Sequence, residues 1–130
     1  MTHDRSVVIR PIGADDETEW RALWRDYLAF YKTERPEAVF ATTFSRLLSG
    51  KHNEFKGFLA VLEGRPVGLV HYLFHRTCWA IEDTCYLQDL YADPEVRGKG
   101  IGRALIEAVY AAADRHHASN VYWLTQEFNA

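Results

Sequence analysis

Residues 97–102, Arg97-Gly98-Lys99-Gly100-Ile101-Gly102, stand between an extended apolar run and an amphipathic helical stripe. Alternate glycines leave several backbone N–H groups unobstructed at a helix start, where the macrodipole is also positive. Such a turn can hold an anion, above all a phosphate or pyrophosphate. Glycine permits both the unusual backbone angles and the close approach of a ligand. The plainer reading is a tight strand-to-helix turn with no ligand. A dinucleotide fingerprint, Gly-x-Gly-x-x-Gly, fails because the sixth position counted from Gly98 is Arg103. A nucleotide P-loop fails as well, since Lys99 is followed by Gly100 instead of Ser or Thr.

A third pattern, Arg/Gln-x-x-Gly-x-Gly/Ala, is matched by Arg97, Gly100 and Gly102. Residues 86–102, Tyr-Leu-Gln-Asp-Leu-Tyr-Ala-Asp-Pro-Glu-Val-Arg-Gly-Lys-Gly-Ile-Gly, resemble the core motif of the GCN5-related N-acetyltransferases (GNAT). This is a superfamily that binds acetyl-coenzyme A at this turn. The strand pattern Leu87-x-Asp89-Leu90-Tyr91 and the later Trp123-Leu124-Thr125-Gln126-Glu127-Phe128-Asn129 are most similar to one branch, which contains polyamine acetyltransferases and the yeast Hpa-type histone and polyamine acetyltransferases. The similarity is specific over residues 79–129 and weaker upstream.

Length and composition bound the answer. A chain of 130 residues with 48% hydrophobic and 14% aromatic residues is one domain with a packed core. The net charge of −3 provides no basic field for nucleic acid, so an anionic ligand must be captured locally by Arg97, Lys99, Arg103 and backbone amides. No stretch approaches the roughly 20 apolar residues of a membrane span, and no signal-peptide core opens the chain, which reads as cytoplasmic. Cys78 and Cys85 are then expected to be reduced thiols.

Hydrophobic periodicity orders the elements. Residues 7–12 read as a strand, followed by the helix-start signal Gly13-Ala14-Asp15-Asp16. Trp20, Leu23, Trp24, Tyr27, Leu28 and Tyr31 recur at helical steps until Pro36 breaks the helix. A second helix is predicted over 37–49. Strands follow at 57–63 and 66–75, joined by the hairpin signal Glu63-Gly64-Arg65, and then at 85–91. Ile101, Ala104, Leu105, Ala108, Val109 and Ala112 form one helical stripe, with an Arg103–Glu107 pair on the exposed side. A last strand is predicted over 121–125. The fold class is therefore α/β of the α+β kind: a GNAT-like mixed central sheet flanked by helices, in the order β-α-α-β-β-β-α-β. Its strands should form an antiparallel meander, then a right-handed crossover to a parallel strand.

Relatives in the family continue past the last strand with a helix carrying a tyrosine and further strands. The chain is therefore expected to be a single N-acetyltransferase domain over residues 1–130 that is C-terminally incomplete. The family's tyrosine acid then has no counterpart, and a homodimer is expected to cover the open core.

Acetyl transfer to an amine makes three demands. An alkylamine with pKa near ~10.4 must lose its proton, the oxyanion needs a fixed donor, and a thiolate of pKa near ~8.5 must leave. The resemblance implies an oxyanion donor among the backbone N–H groups of Leu90, Tyr91 and Ala92, with the pantetheine laid along that strand. It also implies pyrophosphate held by residues 97–103 and contact between Asn129 and the coenzyme. Ile101 is read as core by its side chain and phosphate donor by its amide. Asp89, inside an apolar strand, is either a solvated or salt-bridged carboxylate or an anchor for a cationic acceptor and, through water, its base. Relatives of the polyamine type often carry a glutamate just before it; here Gln88 cannot take a proton. Glu34, Glu82 and Asp83 are further acids, read as surface residues. Tyr27, Tyr31 and Trp79 either line an acceptor groove or belong to the core.

Of the six histidines, His71 and His75 lie roughly 13 Å apart along one strand face, and His116 and His117 end a helix. No metal site is expected. Cys85 as a covalent nucleophile lacks any activating neighbour in the sequence. The expectation is an N-acetyltransferase using acetyl-CoA as co-substrate and acting by direct attack in a ternary complex. Its acceptor is expected to be a small primary amine such as a polyamine, diamine or lysine-like molecule. A histone or protein lysine, or a non-catalytic acyl-CoA-binding module, is the alternative.

Overall fold

The computed structural model describes residues 7–96 and 98–124. The chain runs through β1 (Val8–Pro11), α1 (Glu17–Phe30), α2 (Glu37–Leu48), β2 (Lys56–Leu62), β3 (Arg65–His75), β4 (Thr84–Ala92), α3 (Ile101–His116) and β5 (Val121–Tyr122). This is the order the periodicity predicts. Among the described residues the sheet has five strands in the order β1-β2-β3-β4-β5. The first four pair antiparallel and β4 pairs parallel with β5. The β2–β3 hairpin turns on Glu63 and Gly64, both at positive φ (51° and 79°), the primed geometry that matches strand twist.

Alternation along the strands sorts side chains into two cores. Leu59 and Leu69 face Trp20, Trp24, Phe40 and Phe44 of α1 and α2. Phe58, Ala60, Val70 and Tyr72 face the other way, onto Ile101, Leu105 and Val109 of α3. The aromatic periodicity of α1 is thus mainly a packing signal: Trp20 is wholly buried and stacks on Trp24 at 5.1 Å between ring centroids.

The second core carries the site, because it sets where α3 begins. A Cβ at Gly68 would fall 2.8 Å from Ile101 Cγ2 and 2.9 Å from the Tyr91 carbonyl oxygen. The missing side chain lets the first turn of α3 press onto β3 and β4, bringing the glycine turn to the carboxyl end of β4. Gly68→Val should overpack this contact and cost about 1–3 kcal/mol, read as a lowered midpoint in chemical denaturation.

Two local departures from regularity shape β4. Its pairing with β3 shifts between His71 and Tyr72: His71 faces Asp89 and Tyr72 faces Leu87, which leaves Gln88 as the extra residue of a bulge. In addition, among the described residues the β4–β5 ladder comprises only Cys85↔Val121 and Tyr86↔Tyr122. The predicted strand over 121–125 is therefore shorter among the described residues, and its Thr125 lies outside them. From Leu87 onward β4 has no described strand partner on its β5 side.

Candidate active site

The glycine turn has the geometry expected of an anion cradle. Gly98 (φ 79°) and Gly100 (φ 71°) are left-handed, and Gly100 is the N-cap of α3. The first helical bond runs from the Ala104 N–H to the Gly100 carbonyl, so the amides of Ile101, Gly102 and Arg103 precede any intrahelical acceptor. A Cβ at Gly98, Gly100 or Gly102 would meet nothing within 4 Å, so the turn stands open. Lys99 is exposed beside it. Arg103 pairs with Glu107 at 3.4 Å on the outer face, as the four-residue spacing predicts. Arg97 and Asn129 lie outside the described residues.

Where β4 and β5 diverge, a cavity of about 380 Å³ opens, walled by Tyr27, Tyr31, Tyr86, Asp89, Leu90 and Ile106 among others. Ile106 belongs to the second turn of α3, so the cavity extends from the helix that carries the glycine turn to Asp89. Tyr91 and Ala92 line a neighbouring hollow with Tyr27, Tyr31 and Leu90. Tyr27 and Tyr31 thus leave the core stripe and reach the cleft, with ring centroids 4.9 Å apart. Trp79 does not join them. It sits 97% exposed on the loop between β3 and β4 and borders a separate cleft with His75 and Tyr122.

The bulge decides which way Asp89 faces. Regular alternation would send residues 85, 87 and 89 to the α3 face. Cys85 and Leu87 do pack there, but the extra residue turns Asp89 and Tyr91 toward α1. On that side Asp89 Oδ2 accepts a hydrogen bond from His71 Nδ1 at 2.9 Å, while Trp20 Nε1–H donates to His71 Nε2 at 2.9 Å. The indole N–H has no lone pair to offer, so Nε2 must be the acceptor and the ring proton must sit on Nδ1. His71 thus accepts through Nε2 and donates through Nδ1, and the Asp89 carboxylate still borders the cavity. Neither side chain is free to wander, with His71 at 3% and Asp89 at 16% exposure. Burial first, and then the charge and hydrogen bonding of Asp89, push the Tyr27 hydroxyl far above the ordinary phenol range. Tyr27 consequently remains protonated and does not act as a base.

A second cavity, of about 290 Å³, lies between α1, α2 and the sheet, bordered by Trp24, Arg35, Phe55, His71, Gln88 and Asp89 among others. It shares Tyr27, Gln88 and Asp89 with the first cavity, so these three form a common wall. Arg35 stands at its mouth, where its Nη1 donates to the Thr33 hydroxyl and the Glu34 carbonyl, each at 2.7 Å. No carboxylate among the described residues is paired with it.

Trp20, His71 and Arg35 border or brace the site without any local sequence pattern that marks them for it. Trp20 and His71 are separated by 51 positions, and nothing local signals their bond. Cys85 is buried, with burial pushing its thiol up to about 11, and no histidine among the described residues bonds to it. That removes it as a nucleophile. Asp83 lies at the opposite end of β4 from these cavities and is not the plain surface residue expected, since His116 hydrogen-bonds to it.

A meander of antiparallel strands, a parallel strand splayed from β4 and an anion-ready glycine turn at that splay define an N-acetyltransferase that draws its acetyl group from acetyl-CoA. The chain belongs to the Acetyltransferase (GNAT) family, whose model matches residues 18–130. It is 39% identical over 130 residues to the D-amino-acid N-acetyltransferase HPA3 of Saccharomyces cerevisiae, covering 99% of this chain and 80% of the yeast protein. Solved structures share the fold at lower identity. The aminoglycoside N-acetyltransferase AAC(6')-Iy in complex with CoA superposes with a TM-score of 0.84 at 17% identity, over 99% of this chain and 83% of that one. The ribosomal-protein-alanine N-acetyltransferase of Brucella melitensis gives 0.78 at 23% identity, over 94% and 82%. No helix among the described residues is long and apolar enough to cross a membrane.

Proposed function

We propose that the enzyme acetylates the amine of a small free amino acid by direct attack in a ternary complex. The observation that carries this reading is the pairing of opposite charges in one cavity. Asp89 stands on the wall shared with the cleft along β4, and Arg35 stands at the mouth without a carboxylate partner among the described residues. An ammonium directed to Asp89 and a carboxylate directed to Arg35 fit a zwitterion. A polyamine or diamine would place its second cation near the guanidinium, which disfavours it. A lysine-like amino acid remains compatible, and the likeness to a D-amino-acid N-acetyltransferase supports testing that series first.

In this reading Arg97, Gly98, Lys99, Gly100, Ile101, Gly102 and Arg103 hold the pyrophosphate. The backbone of Leu90, Tyr91 and Ala92 receives the pantetheine, with the N–H of Leu90 or a neighbour polarising the thioester carbonyl. Asp89 anchors the ammonium and takes its proton through water. Tyr27 and Tyr31 border the space where amine and thioester meet. Asn129 enters only through its family likeness.

Free-thiol release should be measured over D- and L-amino acids, their amides and matched amines lacking a carboxylate. Free amino acids are expected to be the best acceptors. Arg35→Met should raise the KM for the preferred amino acid about 10–100-fold, the loss of a charge-assisted bond worth about 1.5–3 kcal/mol, and leave the carboxylate-free amine unchanged. An equal change for both acceptors, or a diamine as best acceptor, would overturn the reading.

A further inference from the structure

We propose that His52, Asp83 and His116 form a binding site for a divalent transition metal, zinc foremost, at the end of the sheet remote from acetyl transfer. The three come from separate segments: the loop between α2 and β2, the residue before β4 and the last turn of α3. Their ligand atoms all lie within 4.8 Å of one another. His116 Nε2 is 3.0 Å from Asp83 Oδ2, and His52 Nε2 is 3.4 Å from the same oxygen. Tetrahedral zinc with bonds of about 2.0–2.1 Å separates neighbouring ligand atoms by about 3.3 Å, so these two edges bracket the required length. The His52–His116 edge is bounded at 4.8 Å, and any shortening it needs falls to one side chain. His52 can supply it, being 73% exposed on its loop with its ring already lying over His116.

The other two ligands are held in place. The His116 ring lies flat on Phe74, with centroids 3.8 Å apart and planes 8° apart, which fixes its edge toward Asp83. The Asp83 backbone carbonyl accepts bonds from the N–H and hydroxyl of Ser119, tying it to the turn after α3. That end of α3 also carries the negative pole of the helix dipole, which favours a cation. Arg76 faces Asp83 but forms no ion pair with it among the described residues. Two imidazoles and one carboxylate suit zinc better than calcium or magnesium, which prefer all-oxygen sites. Water completes the fourth position.

The role follows from the location. The α3 helix has 16 residues, so its last turn lies about 24 Å from the glycine turn. A metal there clips three segments together and adds stability without touching the reaction.

Untagged protein carrying Cys78→Ser, stripped with a chelator, should bind a single zinc ion in titration calorimetry, and zinc should raise its thermal midpoint. His52→Ala should weaken zinc at least about tenfold and shrink the thermal shift measured at the same zinc concentration, with kcat unchanged in both metal-free and zinc forms. His116→Gln provides a second ligand deletion, its fold checked by circular dichroism. No saturable zinc binding would overturn the proposal, leaving only a hydrogen-bonded His–Asp pair. Binding undiminished in both variants would overturn it equally.

Discussion

Replacing Gly100 with tryptophan is expected to raise the dissociation constant for coenzyme A by about 100-fold or more while the protein stays folded. The folded state tolerates the change because a Cβ at Gly100 meets nothing within 4 Å. The cost is conformational: a non-glycine residue at φ 71° bears a left-handed penalty of about 1–2 kcal/mol, visible as a modest drop in denaturation midpoint. The indole must then occupy the open side of the turn, over the amides of Ile101, Gly102 and Arg103. Each charge-assisted bond from such an amide to a phosphate oxygen contributes about 1.5–3 kcal/mol, so losing two of them suffices for the predicted factor. Titration with coenzyme A and with ADP should show parallel losses, because the turn is assigned to the diphosphate and not to the thioester arm. Retained affinity for coenzyme A would remove residues 98–103 from the site.

The turn was legible because its information is local. Glycines at 98, 100 and 102 precede a helical stripe, and the structure buries Ile101, Leu105, Val109 and Ala112 along one face, as a 3.6-residue period demands. The β2–β3 hairpin was legible for the same reason, in Glu63 and Gly64. Asp89 was visible as an anomaly, a carboxylate in an apolar strand, but which face it would occupy was not. That depends on Gln88 being extruded from the ladder opposite His71, a property of two strands together. By residue type Gln88 is a lost proton acceptor, whereas its structural contribution is to re-aim its neighbour. His71 was considered only alongside His75 on the same strand, yet its partners come from α1 and β4. His116 was read as a helix-end imidazole, and its partners His52 and Asp83 are brought to it by two loops. Local patterns thus carried the architecture, while the polar constellations required tertiary neighbours.

The other large effect belongs to Asp89. Asp89→Asn should lower kcat/KM for the amine by about 100-fold or more, in the range expected when a positioned base is removed. The KM for acetyl-CoA should change little, because the role proposed for Asp89 concerns the amine. The substitution keeps the shape of the side chain, and an amide oxygen can still accept the Nδ1–H of His71, so the fold is not at stake. What disappears is charge, and neither described neighbour supplies it: His71 Nε2 is taken up as the acceptor of the Trp20 N–H, and Tyr27 is held protonated. The two parts of the Asp89 role separate by pH. An anchoring charge shows as a raised amine KM at every pH at which the amine is protonated. A base shows as a kcat that recovers as pH rises toward the amine pKa, since solvent then supplies the neutral nucleophile. Both signatures are expected together, because a carboxylate that holds an ammonium is already placed to receive its proton. An enzyme with unchanged kinetics across that range would demote Asp89 to a strand residue that merely satisfies His71, and the bulge at Gln88 would then serve packing alone.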